Sequence, residues 1–488
     1  MHNFTLFTAE TMKGVLHFLA SRQDIAFIRE KPVMTKIKLH HLLSCYMLVV
    51  AVSFCSTGNT WGQPQSLSPP NQQNIQYLAR ANTNRAQNSN RNFSQNYAQQ
   101  GLTVPQVCEL ALQNNAAVAQ ATRLMEAHYG SWVQAGLKNN PMVGYVADEM
   151  GGSNGAGRQG VAFSQEHISR DKRDARQVAA SAEYQAAQRT LMVQRQKVIN
   201  DATLAAYRLL IAQQKENLSR ELLKISQNAA SAANDLSQAK ETPKTDYLQA
   251  KIEMNRTQIA LNDAVIEREA AAKELAVLLG WPVETLPQIA DTLDRLPLEI
   301  DENAALRQLL AESPQLRQAR AEWDAARARW CSEQKEAGIN VSTEGSLLYN
   351  TYEKQTEFSV GVAIPLRINN KNQGNIMRAQ SEMLAAARNM ERVEKALTAV
   401  FYQRFAEYKT AMQRVTLYRE DVLSDVEESL QLMLQAYQHG QSSYVELLNT
   451  QRTLFEVKIE YLDNIALLLA SSTKINGYLL EGAFDRPE

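Results

Sequence analysis

The 488-residue chain has only four cysteines, so no disulfide framework can hold it together. Glycine and proline are also sparse, at 20 and 13, which excludes collagen-like and proline-rich classes and leaves long stretches without a helix breaker. There is no excess of either charge, since 51 Lys and Arg face 52 Asp and Glu for a net charge of -1. A nucleic-acid binder is therefore not expected. Beyond the first sixty residues no apolar run approaches the roughly 20 residues of a membrane-spanning helix; Ile465 to Ala470 is among the longest. His128, His167 and His439 are widely separated and form no ligand cluster with Cys108 and Cys331, so no metal or other cofactor is expected. No spaced nucleophile motif supports an enzyme.

What is abundant is Ala, Gln, Leu, Glu and Arg, the strong helix formers. They begin after a different kind of segment. Lys36 and Lys38 precede an apolar run from Leu42 to Phe54 with small residues beyond it, the pattern of a secretory signal peptide over residues 34–62. Translation from Met34 would make residues 1–33 an upstream extension. Val52-Ser53-Phe54-Cys55 also resembles a lipidation box, although Phe54 is large for its position, so lipidation of Cys55 stays open. Residues 63–101, rich in Asn, Gln and Ser, read as a polar lead-in that cannot bury a core.

The remainder is two copies of one unit. Gly160-Val161-Ala162-Phe163 recurs as Gly361-Val362-Ala363-Ile364, Asp246-Tyr247-Leu248 as Glu446-Leu447-Leu448, and Trp132 as Trp330. The boundaries are 102–280 for the first repeat, 281–300 for a linker, 301–480 for the second repeat and 481–488 for a tail. Each copy reads as a helical pair, two strands, one very long helix and a helical return. Thr103 and Pro105 open the first helix. Equivalent burial of Cys108 and Cys331 is expected, with a disulfide between them as the alternative.

The strands span Met142 to Met150 and Arg158 to His167, then Ile339 to Asn350 and Thr356 to Arg367. In the last, Phe358, Val360, Val362 and Ile364 alternate with Ser359, Gly361 and Ala363, the period of a sheet with two different faces. About ten residues suits a tilted membrane strand, and equally a soluble hairpin packed on helices. Neither Pro nor Gly occurs from Ser169 to Leu236 or from Asn375 to His439. The first of these would reach about 100 Å as one helix, with Leu204, Tyr207, Leu210, Ile211 and Leu218 as a narrow coiled-coil stripe. The fold class is therefore mainly α with a small β part. Four membrane strands cannot close a barrel, and open edges are not tolerated in hydrocarbon, so several chains would have to contribute.

The stretch from Ala436 to Leu454, AYQHGQSSYVELLNTQRTL, resembles the tip-and-return signature of the TolC-type outer-membrane efflux proteins. Leu112-Gln113-Asn114-Asn115 and Ala363-Ile364-Pro365-Leu366, followed by Asn369, Gly374 and Ala379, resemble the same family, over about residues 102–480. The resemblance implies a homotrimer, with a twelve-stranded transmembrane β-barrel in the outer-membrane lipid and a periplasmic α-barrel of coiled-coil helices. It implies passive export of solutes delivered by an inner-membrane pump through a periplasmic adaptor. Ser164-Gln165 and Ser169-Arg170-Asp171-Lys172-Arg173 are similar to the heavy-metal branch of cobalt, zinc and cadmium type, with Arg170 and Asp171 where that branch has glycines.

The adaptor-docking tips implied by the resemblance are Tyr437, Gly440, Ser443 and Glu446 in the second copy and Thr242, Pro243 and Asp246 in the first. Lys240 stands where the first tip should have the counterpart of Gly440, so a less tight turn is expected there. Near the tips, Asp235, Asp425, Glu427 and Glu428 would form rings favouring cations if symmetry tripled them, although such residues more often make a solvated helix face. A periplasmic coiled-coil scaffold or adaptor would explain the helices and leave the hairpins unexplained. An outer-membrane channel for protein secretion would use the same duct.

Overall fold

The computed structural model describes residues 101–486 except 152–154, 241, 294–296, 298 and 440. The signal peptide, Cys55, most of the polar lead-in and Gly440 lie outside the described residues. One order of elements occurs twice. The first half has α1 (Val104–Asn114), α2 (Ala116–Ala135), β1 (Met142–Asp148), β2 (Arg158–His167), α3 (Arg170–Gln238) and α4 (Lys244–Leu278). The second has α5 (Glu302–Glu312), α6 (Pro314–Glu336), β3 (Val341–Asn350), β4 (Gln355–Ala363), α7 (Gln373–Leu417), α8 (Leu423–Gln438) and α9 (Tyr444–Asn476).

Local chemistry sets the breaks. The Thr103 amide donates to Gln106 Oε1 at 3.0 Å, closing the start of α1. Asn115 ends α1 and starts α2, its Oδ1 accepting from the Ala117 and Val118 amides at 2.9 and 3.1 Å. In the second half Ser313 does the same between α5 and α6, helped by Pro314 at the first helical position. Ser169 caps α3, which then runs 69 residues, about 100 Å. The second long helix is not continuous as expected. A single π-helical turn at Tyr418–Val422 separates α7 from α8, although no Gly or Pro marks it.

Alanines let the helices approach closely. Ala202, Ala205 and Ala206 of α3 are buried with Val107, Leu209, Leu275 and Trp281 in one core around α1, α3 and the end of α4. A second core joins Leu309 of α5 to Val393, Phe401 and Tyr408 of α7 and Leu468 of α9. The C-terminal tail belongs to the packed structure, because Asp201 accepts the Gly482 and Ala483 amides at 3.0 and 2.6 Å. Cys108 is half-buried in α1 and Cys331 exposed in α6, both as free thiols. They are neither bridged nor equivalently buried, because they fall in different elements of the two copies.

The strands form one antiparallel sheet in the order β1-β2-β3-β4. They are shorter at several ends than the sequence suggests. Past Ala363 the chain leaves the ladder, where Pro365 has no amide to donate. β1 and β4 are open edges among the described residues. No helix there is long and apolar enough to cross a membrane.

Candidate functional site

The register sorts the sheet into two faces. On one, Val143, Phe163, Gly345 and Val360 stand in a row across the four strands, and Tyr145, Val161, Leu347 and Phe358 form the next row. This face is apolar and open to its surroundings, with Val143 78% and Val360 67% exposed. On the other, Gly144, Ala162, Ser346 and Ser359 form one row and Asp148, Arg158, Asn350 and Gln355 another. Ser346 and Ser359 share a 2.7 Å hydrogen bond. Arg158 donates to Glu149 at 2.6 Å and to Asp148 and Glu357 at 3.3 Å. Gly345 interrupts the apolar face for a steric reason, since a Cβ there would fall on the Phe163 ring.

A soluble hairpin would bury its apolar face against helices. Here the apolar face is the uncovered one, which in water would be a severe liability and in hydrocarbon is the stable arrangement. The other face, where Ser346, Ser359 and the Arg158 cluster stand beside Met142, Val146 and Leu348, is the more polar of the two and suits a water-filled interior.

At the other end of the molecule two helical hairpins meet. Ala230 and Ala233 of α3 and Ala250 of α4 pack with Tyr444 and Leu448 of α9, and Tyr437 leans on the cluster. The Tyr437 and Tyr444 rings lie 6.1 Å apart at 62°. Burial pushes the Tyr444 hydroxyl up to about 12 and raises that of Tyr437, with Asp246 adding to the effect. Arg452 of α9 donates through Nε to Glu253 of α4 at 3.0 Å, tying the hairpins together. Ser443 and Glu446 form a capping box, the Ser443 amide donating to Glu446 Oε2 at 2.8 Å and Ser443 Oγ accepting the Glu446 amide at 3.3 Å. Pro243 is the N-cap of α4, and its carbonyl accepts the Asp246 amide at 3.1 Å.

Of the expected tip residues, Tyr437 joins the hairpin contact, Ser443, Glu446, Pro243 and Asp246 shape helix starts, and Thr242 has a buried hydroxyl without a partner among the described residues. Ser442, its counterpart 200 residues on, has the same unpartnered hydroxyl and was not singled out from sequence. Neither were Tyr444, Glu253 and Arg452. The repeat offset alone would have found Ser442. Lys240 adopts φ +60°, the left-handed conformation that glycine favours. Asp235, Asp425, Glu427 and Glu428 are all exposed, and Glu427 is paired with Lys458 at 2.8 Å. Among the described residues no cluster of three metal-binding side chains occurs.

A two-faced, open-edged sheet at one end of a long-helix bundle is the fold of solved outer-membrane channel proteins. Residues 305–479 match the family model described as outer membrane efflux protein. It is 25% identical over 386 residues to the cobalt-zinc-cadmium resistance protein CzcC of Cupriavidus metallidurans, covering 78% of this chain and 90% of that one. In fold it is similar to the outer-membrane channel OprN, with a TM-score of 0.64 at 18% identity over 78% of this chain and 90% of that one. The outer membrane protein VceC of Vibrio cholerae gives 0.63 at 16% identity over 80% and 98%.

Proposed function

We propose that three copies of this chain form the exit duct of a tripartite efflux system. The observation that carries this reading is the sheet, whose apolar face is uncovered and whose two edges are unpaired among the described residues. Three four-stranded sheets joined edge to edge close a twelve-stranded barrel, which satisfies every edge amide in hydrocarbon and leaves the polar faces around a lumen. Ile252, Ile259 and Ile266 of α4 support self-association. They recur every seven residues and are all more than half exposed, a coiled-coil seam without a partner among the described residues.

The paired tips, with Tyr437, the unpartnered Thr242 and Ser442 hydroxyls and Asp246, are the surface offered to a periplasmic adaptor fed by an inner-membrane pump. Heavy-metal cations are the favoured cargo, on the likeness to CzcC and on the exposed acids Asp235, Asp425 and Glu428 near the entrance. Deletion of the gene should sensitise cells to cobalt, zinc or cadmium salts, and plasmid-borne wild type should restore tolerance. Unchanged metal tolerance with loss of a secreted protein would favour a duct for protein secretion.

A further inference from the structure

The two rims of the sheet differ in charge. All four strands bring one end to the helical side, as the pairings Met142 with Ser164, His167 with Val341 and Ser342 with Ala363 require. Five cations stand just beyond these ends without an acidic partner among the described residues, and one of them, Arg367, gives its guanidinium to the Glu336 carbonyl at 2.9 Å. Of the others, Lys138 precedes β1, Arg173 follows β2, Lys335 precedes β3 and Lys371 follows β4, and the three lysines are exposed. The acids of the same rim are mostly occupied. Glu166 accepts from Asn139 and Asn340 at 2.7 Å each, Glu336 pairs with Arg176, Glu333 takes Asn372 at 2.7 Å and Asp174 takes Arg170. Asp171 is the exposed exception.

Apolar residues interleave with these cations. Leu366 and Ile368, between β4 and α7, are 83% and 74% exposed just past the last hydrogen bond of the sheet. The opposite rim has the reverse balance, with Asp148, Glu149, Glu353 and Glu357 against Arg158 and Lys354. A band of free cations among exposed aliphatic side chains, at the edge of a lipid-facing surface, has the chemistry of a headgroup layer where phosphate meets hydrocarbon.

We propose that this rim is a collar that binds the phosphate headgroups of anionic phospholipid on the helical side of the membrane. The inference rests on the membrane reading of the sheet above. Leu366 and Ile368 enter the interfacial layer, while Lys138, Lys335 and Lys371 meet the phosphates and fix how deep the barrel sits. Each lysine near an anionic surface strengthens binding by about fivefold, so three together contribute about a hundredfold.

The test uses the full chain and its K138Q/K335Q/K371Q variant. Both are purified in detergent, given phosphatidylglycerol or phosphatidylethanolamine, and weighed intact by native mass spectrometry for retained lipid. Both are also reconstituted into vesicles of phosphatidylethanolamine alone and with a quarter phosphatidylglycerol. Wild type should retain phosphatidylglycerol preferentially, the variant should lose that preference by about a hundredfold, and both should insert equally into the neutral vesicles. Equal retention by the two proteins, with normal insertion, overturns the collar and leaves the membrane reading standing. Failure of both to enter either vesicle overturns the membrane reading itself. Displacement of the lipid by millimolar inorganic phosphate would mean a site for free phosphate and would also overturn the collar. If the variant does not fold, wild type alone decides, since the preference must weaken steeply with salt.

Discussion

Lys172, in the first turn of the 69-residue helix α3, donates through Nζ to Asn340 Oδ1 just ahead of β3, 2.7 Å away. Its side chain is only 2% exposed, and Glu336 lies 4.0 Å off. This buried bond joins the helical bundle of the first half to the sheet of the second, and Asn340 passes the connection on to Glu166 at the end of β2. A methionine at 172 would fill the space and leave Asn340 short of a donor, destabilising the junction by about 2 kcal/mol. Burial, partly offset by Glu336, lowers the lysine pKa from its ordinary 10.5. In the window between the lowered value and 10.5 the unfolded chain binds more protons, so stability should rise as pH climbs through it. Melting curves in detergent at alkaline pH below 10.5 should rise more steeply with pH in wild type than in Lys172→Met.

Glu216 gives the opposite dependence. It is buried in the middle of α3 and accepts from Arg220 of the same helix and Arg268 of α4. Burial opposes its charge, but the two arginines outweigh burial and hold the carboxyl below its ordinary 4.5. Its contribution is therefore complete above pH 4.5 and is lost as pH falls through the lowered value. Glu216→Gln should cost about 2 kcal/mol near neutral pH and flatten the acid limb of stability. Thermal melting between pH 3 and 7 checks both effects.

Lys240 holds φ +60° at the first helical tip, a conformation that strains any side chain with a Cβ. Lys240→Gly should raise stability by about 1 kcal/mol, and Lys240→Val should lower it. A melting temperature unchanged by the glycine would mean the tip relaxes in the assembled protein.

Adjacent residues on β3 face opposite environments. Leu347→Arg places a charge on the apolar face and should cost about 3 kcal/mol, enough to impair membrane assembly. Ser346→Arg, on the polar face, should assemble normally and reduce conductance. Gel mobility of the unheated protein and planar-bilayer recording separate the two, and equal behaviour would contradict the assignment of faces.

Much of this was legible in the sequence, for local reasons. A stretch from Ser169 to Leu236 without Gly or Pro reads as one helix because nothing in it breaks the hydrogen-bond ladder, and α3 ends within two residues of that reading. The alternation around Phe358 to Val362 identified a two-faced strand because side chains in a strand simply alternate. What stayed hidden is non-local. The register of β2 on β3 joins Phe163 to Gly345, and only that pairing explains the glycine. The π turn at Tyr418 has no breaker residue, and Tyr418 instead hydrogen-bonds Glu460 of α9 at 2.5 Å. At the tips, the partnership of Glu253 and Arg452 appears only when α4 and α9 are side by side.

The central claim is an assembly of three chains enclosing one conducting lumen, and intact mass with single-channel recording on the same detergent-purified, reconstituted protein tests it most directly. A particle of three chains that opens discrete conductance steps in a planar bilayer is the predicted result. A detergent-independent monomer that never conducts would contradict the claim and leave the long helices as a soluble scaffold.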